Sequence, residues 1–157
     1  MRDLLEAVDL PKTCRVIVAG GRDFANYALL ERTLDRILQP LEGVEIVSGR
    51  ARGADQLGEI YARKHGIRIH QFPADWERLD KLAGFVRNKQ MAEFAAPYGR
   101  LIAFPGGRGT AHMVKTAHAF GLQVHIITLM PSARDFMLFA NKVHTKRGFP
   151  PPFPKEV

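Results

Sequence analysis

Five arginines, Arg22, Arg50, Arg52, Arg87 and Arg108, stand within or beside glycine-bearing runs of this chain. The densest run is Phe104-Pro105-Gly106-Gly107-Arg108-Gly109-Thr110, which leaves the apolar stretch 100–104. Three glycines and a proline so close together do not belong in a strand or helix interior. They suit a sharp backbone turn whose amides something can approach. Where such a turn opens a helix, unpaired N–H groups and the positive dipole end attract an anion, typically phosphate. Guanidinium groups add bidentate donors for the same anion. For one run taken alone, a plain strand-to-helix turn is an equal alternative.

Two further runs have the same character: Gly20-Gly21-Arg22-Asp23 and Gly49-Arg50-Ala51-Arg52-Gly53-Ala54-Asp55. Three such turns are hard to attribute to turn chemistry alone. The candidate phosphate-binding set is therefore Gly20, Gly21, Arg22, Gly49, Arg52, Pro105, Gly106, Gly107, Arg108, Gly109 and Thr110, with Arg87 and Asn88 adding charge and orientation. Thr110 suits both a helix cap and a hydroxyl donor to phosphate. Trp76 can stack on a base or plug a loop. No catalytic residue is identified outright. Asp23, Asp55 and Asp75 are the candidate carboxylates, although Asp23 and Asp55 also suit helix N-terminal caps and Asp75 a loop or an arginine partner. Ser48 reads as a strand-end hydrogen bonder, and Cys14 as a small half-buried residue. Met91, Met113, Phe85 and Phe94 fall at helical spacing and read as core. His112 and His118 are not at i, i+4, and nothing matches a metal-ligand spacing.

These turns must be positioned by the elements around them. Short apolar runs predict strands at 15–19, 45–48, 67–72, 101–104 and 124–129. Helix-period patterns fall between them. Tyr27, Leu30, Leu34, Ile37 and Leu38 share one face, and Leu57, Ile60 and Tyr61 face inward on a helix over 54–65, stopped by Gly66. Helices over 84–96, 110–120 and 132–143 complete the set, while 73–82 reads as a loop holding Trp76. Strands alternating with helices predict a mainly parallel five-stranded sheet with helices on both faces, a three-layer Rossmann-like α/β fold. Strand order 3-2-1-4-5 would set Gly20-Gly21 opposite Gly106-Gly107 across a cleft at the carboxyl edge.

The composition fits one globular domain: 157 residues, 46% hydrophobic. We expect an N-terminal extension over 1–14, the domain over 15–143, and a proline-rich basic tail over 144–157. A single cysteine excludes an internal disulfide. No signal peptide or membrane span is visible, so the expected location is cytoplasmic. A formal charge of +7 suits a nucleotide-like ligand, with nucleic acid a less favoured partner because few aromatics interleave the basic positions. The G-x-x-x-x-G-K-[ST] and G-x-G-x-x-G patterns are both absent.

Pro105-Gly106-Gly107-Arg108-Gly109-Thr110 resembles the P-G-G-x-G-T motif of the SLOG superfamily, which includes the LOG proteins and the DNA-processing protein A family. The segment 84–91 resembles the arginine-bearing helix that precedes that motif. Gly20-Gly21-Arg22-Asp23, the run 49–55 and Ala74-Asp75-Trp76 resemble the small YspA-like branch, which is common in bacteria and phages. The resemblance implies a Rossmannoid pocket for a nucleotide or nucleotide-derived ligand, of the NAD, ADP-ribose or nucleoside phosphate kind. It implies no required cofactor, and a homodimer is a fair expectation. LOG proteins are phosphoribohydrolases whose motif continues to a catalytic glutamate. Here Met113 stands at that position, and a thioether offers no acid, base or charge. A sensor or binding module is thus the leading class, and a nucleotide N-glycosidase using another carboxylate is the alternative.

Overall fold

The computed structural model describes residues 13–128, 137, 141, 142 and 144–150. The chain divides into two compact units at the junction of Ile127 and Thr128. The first holds five strands, β1 (Cys14–Ala19), β2 (Val44–Ser48), β3 (Ile69–Gln71), β4 (Arg100–Ala103) and β5 (Gln123–Ile126). Its helices are α1 (Tyr27–Leu38), α2 (Ala54–Lys64), α3 (Trp76–Leu79), α4 (Ala83–Ala95) and α5 (Arg108–Ala119). In the second unit, residues 137, 141, 142 and 144–146 are helical. The extension expected over 1–14 and the helix expected over 132–143 lie largely outside the described residues. Among the described residues, no helix is long and apolar enough to cross a membrane.

All four strand pairings are parallel, in the order β3-β2-β1-β4-β5. The central strands are apolar on both faces, and the packing shows why. Val16 and Val18 of β1, Ile46 of β2 and Ile102 of β4 bury against α1 and α2, joining Leu30, Leu34 and Tyr61. Ile17 and Ala19, Val47, Leu101 and Ala103 point the other way and meet Met91, Ala92, Met113 and Ala117 of α4 and α5. Alternate residues therefore feed two cores, and the period-2 polarity of a half-exposed strand is lost. The result is the three-layer Rossmann-like α/β fold.

Some local expectations need correction. Ile60 is 47% exposed rather than inward, because α2 turns Asp55, Gly58 and Glu59 to the sheet beside Tyr61 and Ala62. The segment 73–82 is not a plain loop: Asp75 caps α3, accepting from the Arg78 amide at 3.2 Å, and a 3-10 turn over Asp80–Leu82 follows. Asn26, not Asp23, caps α1, its Oδ1 accepting from the Leu29 amide at 3.0 Å. β3 is shorter than expected, because the Ile67 amide bonds to the Ala62 carbonyl at 2.8 Å and closes the end of α2 instead.

Two glycines at positive φ separate two kinds of cost. Gly121 has φ +74 and open space where a Cβ would go, so Gly121→Ala should cost about 1 kcal/mol of backbone strain. Gly53 has φ +78, and a Cβ there would overlap the Gly21 carbonyl and lie 2.7 Å from Arg22 backbone atoms. Gly53→Ala should cost at least about 3 kcal/mol. Urea denaturation of the two variants checks this, and equal losses would show that the close approach carries no weight.

Candidate functional site

The carboxyl ends of β1 and β4 are adjacent, so the turns that leave them meet. The Phe104 amide donates to the Ala19 carbonyl at 2.8 Å, and the Gly21 amide donates to the Pro105 carbonyl at 2.9 Å. The Gly21 carbonyl accepts in turn from Phe24, at 3.1 Å, and from Ala54 at the start of α2, at 3.3 Å. This packing requires glycine. A Cβ on Gly20 would stand 2.6 Å from the Ala54 Cβ, and one on Gly106 would collide with Thr110 Oγ1 and lie 2.6 Å from the Gly21 nitrogen. The two turns therefore touch rather than face each other across a cleft, which corrects the sequence expectation. The open space lies beside them.

α5 begins at Arg108, two residues earlier than its apolar pattern suggests, with Gly107 as its N-cap and no side-chain cap. Its first helical bond runs from the Ala111 amide to the Gly107 carbonyl at 3.0 Å. The amides before Ala111 thus have no acceptor within the helix. Thr110 lies inside the first turn and does not cap it, contrary to expectation.

The turn after β2 is held by buried carboxylates. Arg50 adopts φ +61, and its amide donates to Ser48 Oγ at 3.2 Å. Asp55 Oδ2 accepts from the Ala51 amide at 3.2 Å, so Asp55 pins the turn rather than capping α2. Glu59 is only 2% exposed and receives Arg50 Nη1 at 2.7 Å, Arg63 Nη2 at 3.2 Å and Gln71 Nε2 at 3.4 Å. Sequence reasoning did not single out Glu59. The available signal was its i, i+4 spacing from Asp55 on the face that also holds Gly58 and Ala62.

Helix α4 supplies the remaining groups. Arg87 donates through Nη1 to the Gly49 carbonyl and through Nε to Asn88 Oδ1 at 3.1 Å. Asn88 is 4% exposed, and its Nδ2 lies 3.2 Å from the Gly109 carbonyl and 3.1 Å from His112 Nδ1. Burial and Lys115 lower the His112 pKa, which favours the neutral ring whose Nδ1 can accept that bond. Phe85 is exposed, not core, and stacks on His112 with centroids 4.1 Å apart. Met91 and Met113 are buried and Phe94 is half-buried, as expected.

One cavity of about 380 Å³ gathers Gly20, Gly21, Arg22, Asp55, Trp76, Arg87, Asn88 and the run Gly107, Arg108, Gly109 and Thr110. Lys81, Phe85 and Met113 also line it. Pro105 and Gly106 stand behind as backbone partners. Gly49 and Arg52 line a neighbouring cavity. Asp23 is exposed in the turn after β1, and Asp75 is committed to α3; neither lines a cavity described here. Asp55 is the one carboxylate in the first cavity. Burial pushes its carboxyl up to about 6, against the opposing pull of the Ala51 amide and the Arg87 charge. Burial also lowers the Arg87 pKa; nearby Asp55 opposes that shift and Arg22 adds to it. Among the described residues, no group of three or more His, Cys, Asp or Glu side chains could hold a metal.

A family model described as "YspA, cpYpsA-related SLOG family" matches residues 14–79. That range includes the turns after β1 and β2 and ends at α3, before Arg87 and the 104–110 turn. The "Gene 61 protein" of Mycobacterium phage D29 is 33% identical over 118 residues, which cover 70% of this chain and 93% of that protein. No solved structure matches the chain.

The Asp55 shift has a direct consequence for stability. A carboxyl whose pKa rises from 3.8 to about 6 on folding adds stability that is fully present below the lower value. That contribution is lost as pH rises through about 6, and its size is on the order of 2–3 kcal/mol. Asp55→Asn should therefore gain stability relative to the parent chain as pH rises from 4 to 7. Urea denaturation across that range checks it, and a constant difference between the two proteins would contradict the assignment.

Proposed function

Since the chain belongs to the YspA, cpYpsA-related SLOG family, we propose that its glycine- and arginine-lined cavity binds a phosphate-bearing nucleotide or nucleotide-derived ligand, as a binding module or sensor. The observation that carries this reading is the α5 N-terminus. Gly107 provides no side-chain cap, and Gly107, Arg108, Gly109 and Thr110 all line the cavity together with Arg22 and Arg87. Unpaired amides at a helix start, with guanidinium groups beside them, suit a phosphate. The glycines remove side chains that would cover those amides. Trp76, 49% exposed on the same cavity, offers a flat apolar face to a base.

The cavity's ionisable groups favour binding over turnover. Met113, 1% exposed, supplies no proton chemistry. One observation supports a hydrolytic second reading: Asp55 lines the cavity with its carboxyl pushed up to about 6, in the range of a useful general acid or base. Released base in a turnover assay, abolished by Asp55→Asn, would move the protein to that class.

A substitution at Gly107 tests the binding reading without threatening the fold. A Cβ there meets nothing within 4 Å. In Gly107→Asp the new carboxylate can accept the α5 amides, an N-cap better than glycine by roughly a few tenths of a kcal/mol. The same charge then occupies and repels the anion's position. We expect the parent chain to show a rising melting temperature with increasing adenosine 5′-monophosphate, as mass action requires. We expect Gly107→Asp to melt at least as high without ligand and to lose that rise. A rise of equal size in the variant would reject the α5 amides as the phosphate site.

A further inference from the structure

The cavity beside the first, of about 600 Å³, is lined by Arg22, Arg50, Arg52, Arg87, Trp76 and Pro73 among others, and by no carboxylate. It is continuous with the first through shared walls: Arg22, Ala51, Trp76 and Arg87 line both. The four arginines are not equivalent. Arg50 is committed to Glu59 at 2.7 Å, and Arg87 to the Gly49 carbonyl and Asn88. Arg22 and Arg52 have no carboxylate partner among the described residues, and both are exposed. Arg22 instead lies over the Trp76 ring, 5.7 Å from its centroid. Four guanidinium groups around one cavity repel one another; the Arg87 pKa is lowered mainly by burial, with Asp55 opposing and Arg22 adding a smaller contribution. A bound anion relieves that repulsion.

The first cavity has its own anion receptor in the α5 amides, so the second is surplus to a single phosphate. We propose that it is a second phosphate subsite, formed chiefly by Arg22 and Arg52. The whole groove then selects a nucleotide carrying phosphates at two separated positions, with Trp76 between them against the base or sugar. This rests on the nucleotide-binding reading above and narrows its ligand class. Neighbouring phosphates, as in a diphosphate, crowd one receptor. On this proposal, phosphates on opposite sides of a ribose would engage both.

Isothermal titration on the full chain at fixed ionic strength, with three mononucleotide probes and then a single-stranded oligonucleotide, tests this. Adenosine 3′,5′-bisphosphate should bind at least tenfold tighter than adenosine 5′-monophosphate, and tighter than adenosine diphosphate, which carries its two phosphates adjacent. Arg52→Ala, at an exposed residue, should bring the bisphosphate-to-monophosphate affinity ratio from ten or more to about one. Binding of the monophosphate with no gain for the bisphosphate would overturn the second subsite and leave the first cavity's reading intact. An equal gain for the diphosphate, or a ratio unmoved by Arg52→Ala, would reduce the effect to general charge attraction and overturn it likewise. No binding by any of the three would sink both readings. Far tighter binding of a 5′-phosphorylated single-stranded oligonucleotide, with a steep salt dependence, would reject the small-ligand class in favour of nucleic acid.

Discussion

The peptide groups around Gly21 are what the rest of the site depends on. The Gly21 amide bonds across to the turn after β4, and its carbonyl accepts both from its own turn and from the first residue of α2. Three chain segments far apart in sequence are thereby joined at one residue. Parallel strand order makes this junction available, because β1 is the central strand and its carboxyl end abuts the exits of both β2 and β4. Glycine makes it sterically permissible. A side chain on Gly20, Gly53 or Gly106 would force the turns apart and carry α2 and α5 away with them.

Around that junction, polar groups are used in two distinct ways. Asp55, Glu59, Asn88 and Ser48 are buried and spend their hydrogen bonds on holding turns in place. Arg22, Arg52 and Arg108 are exposed, with no carboxylate partner among the described residues. Arg87 belongs to both groups: it holds the Gly49 carbonyl while its charge faces the cavity. Buried polar atoms that are satisfied make a rigid frame, and exposed cations on that frame give an anion a preset geometry.

Much of this was legible in the sequence, for reasons visible in particular residues. The three-layer architecture followed from apolar runs such as 15–19 and 101–104, which two-sided burial explains, whereas the strand order 3-2-1-4-5 entered only as the common order for such folds, which the chain adopts. Glycine and arginine clustering marked the three turns, and the chain does bring those turns to one edge of the sheet. The remainder lay in tertiary context. Glu59 reads as an ordinary surface glutamate until the turn after β2 folds Arg50 back onto it. Phe85 has the spacing of a core residue, but the neighbouring histidine offers a ring outside the core. The four residues of α3 are too few to show a period. The two turns were expected to face each other across a gap, and only the backbone hydrogen bond from Gly21 to Pro105 reveals contact.

Glu59 gives the frame an uneven tolerance to damage. Two arginines and a glutamine from separate segments converge on this one carboxylate. If one of them is lost, the buried charge keeps two neighbours. If the carboxylate is lost, all three lose their shared acceptor and the turn bearing Arg50 loses its anchor. The arrangement is a hub with three spokes, robust to change at its periphery and brittle at its centre. Sequence drift in this region should accordingly be free at Arg63 and Gln71, slower at Arg50, and slowest at Glu59.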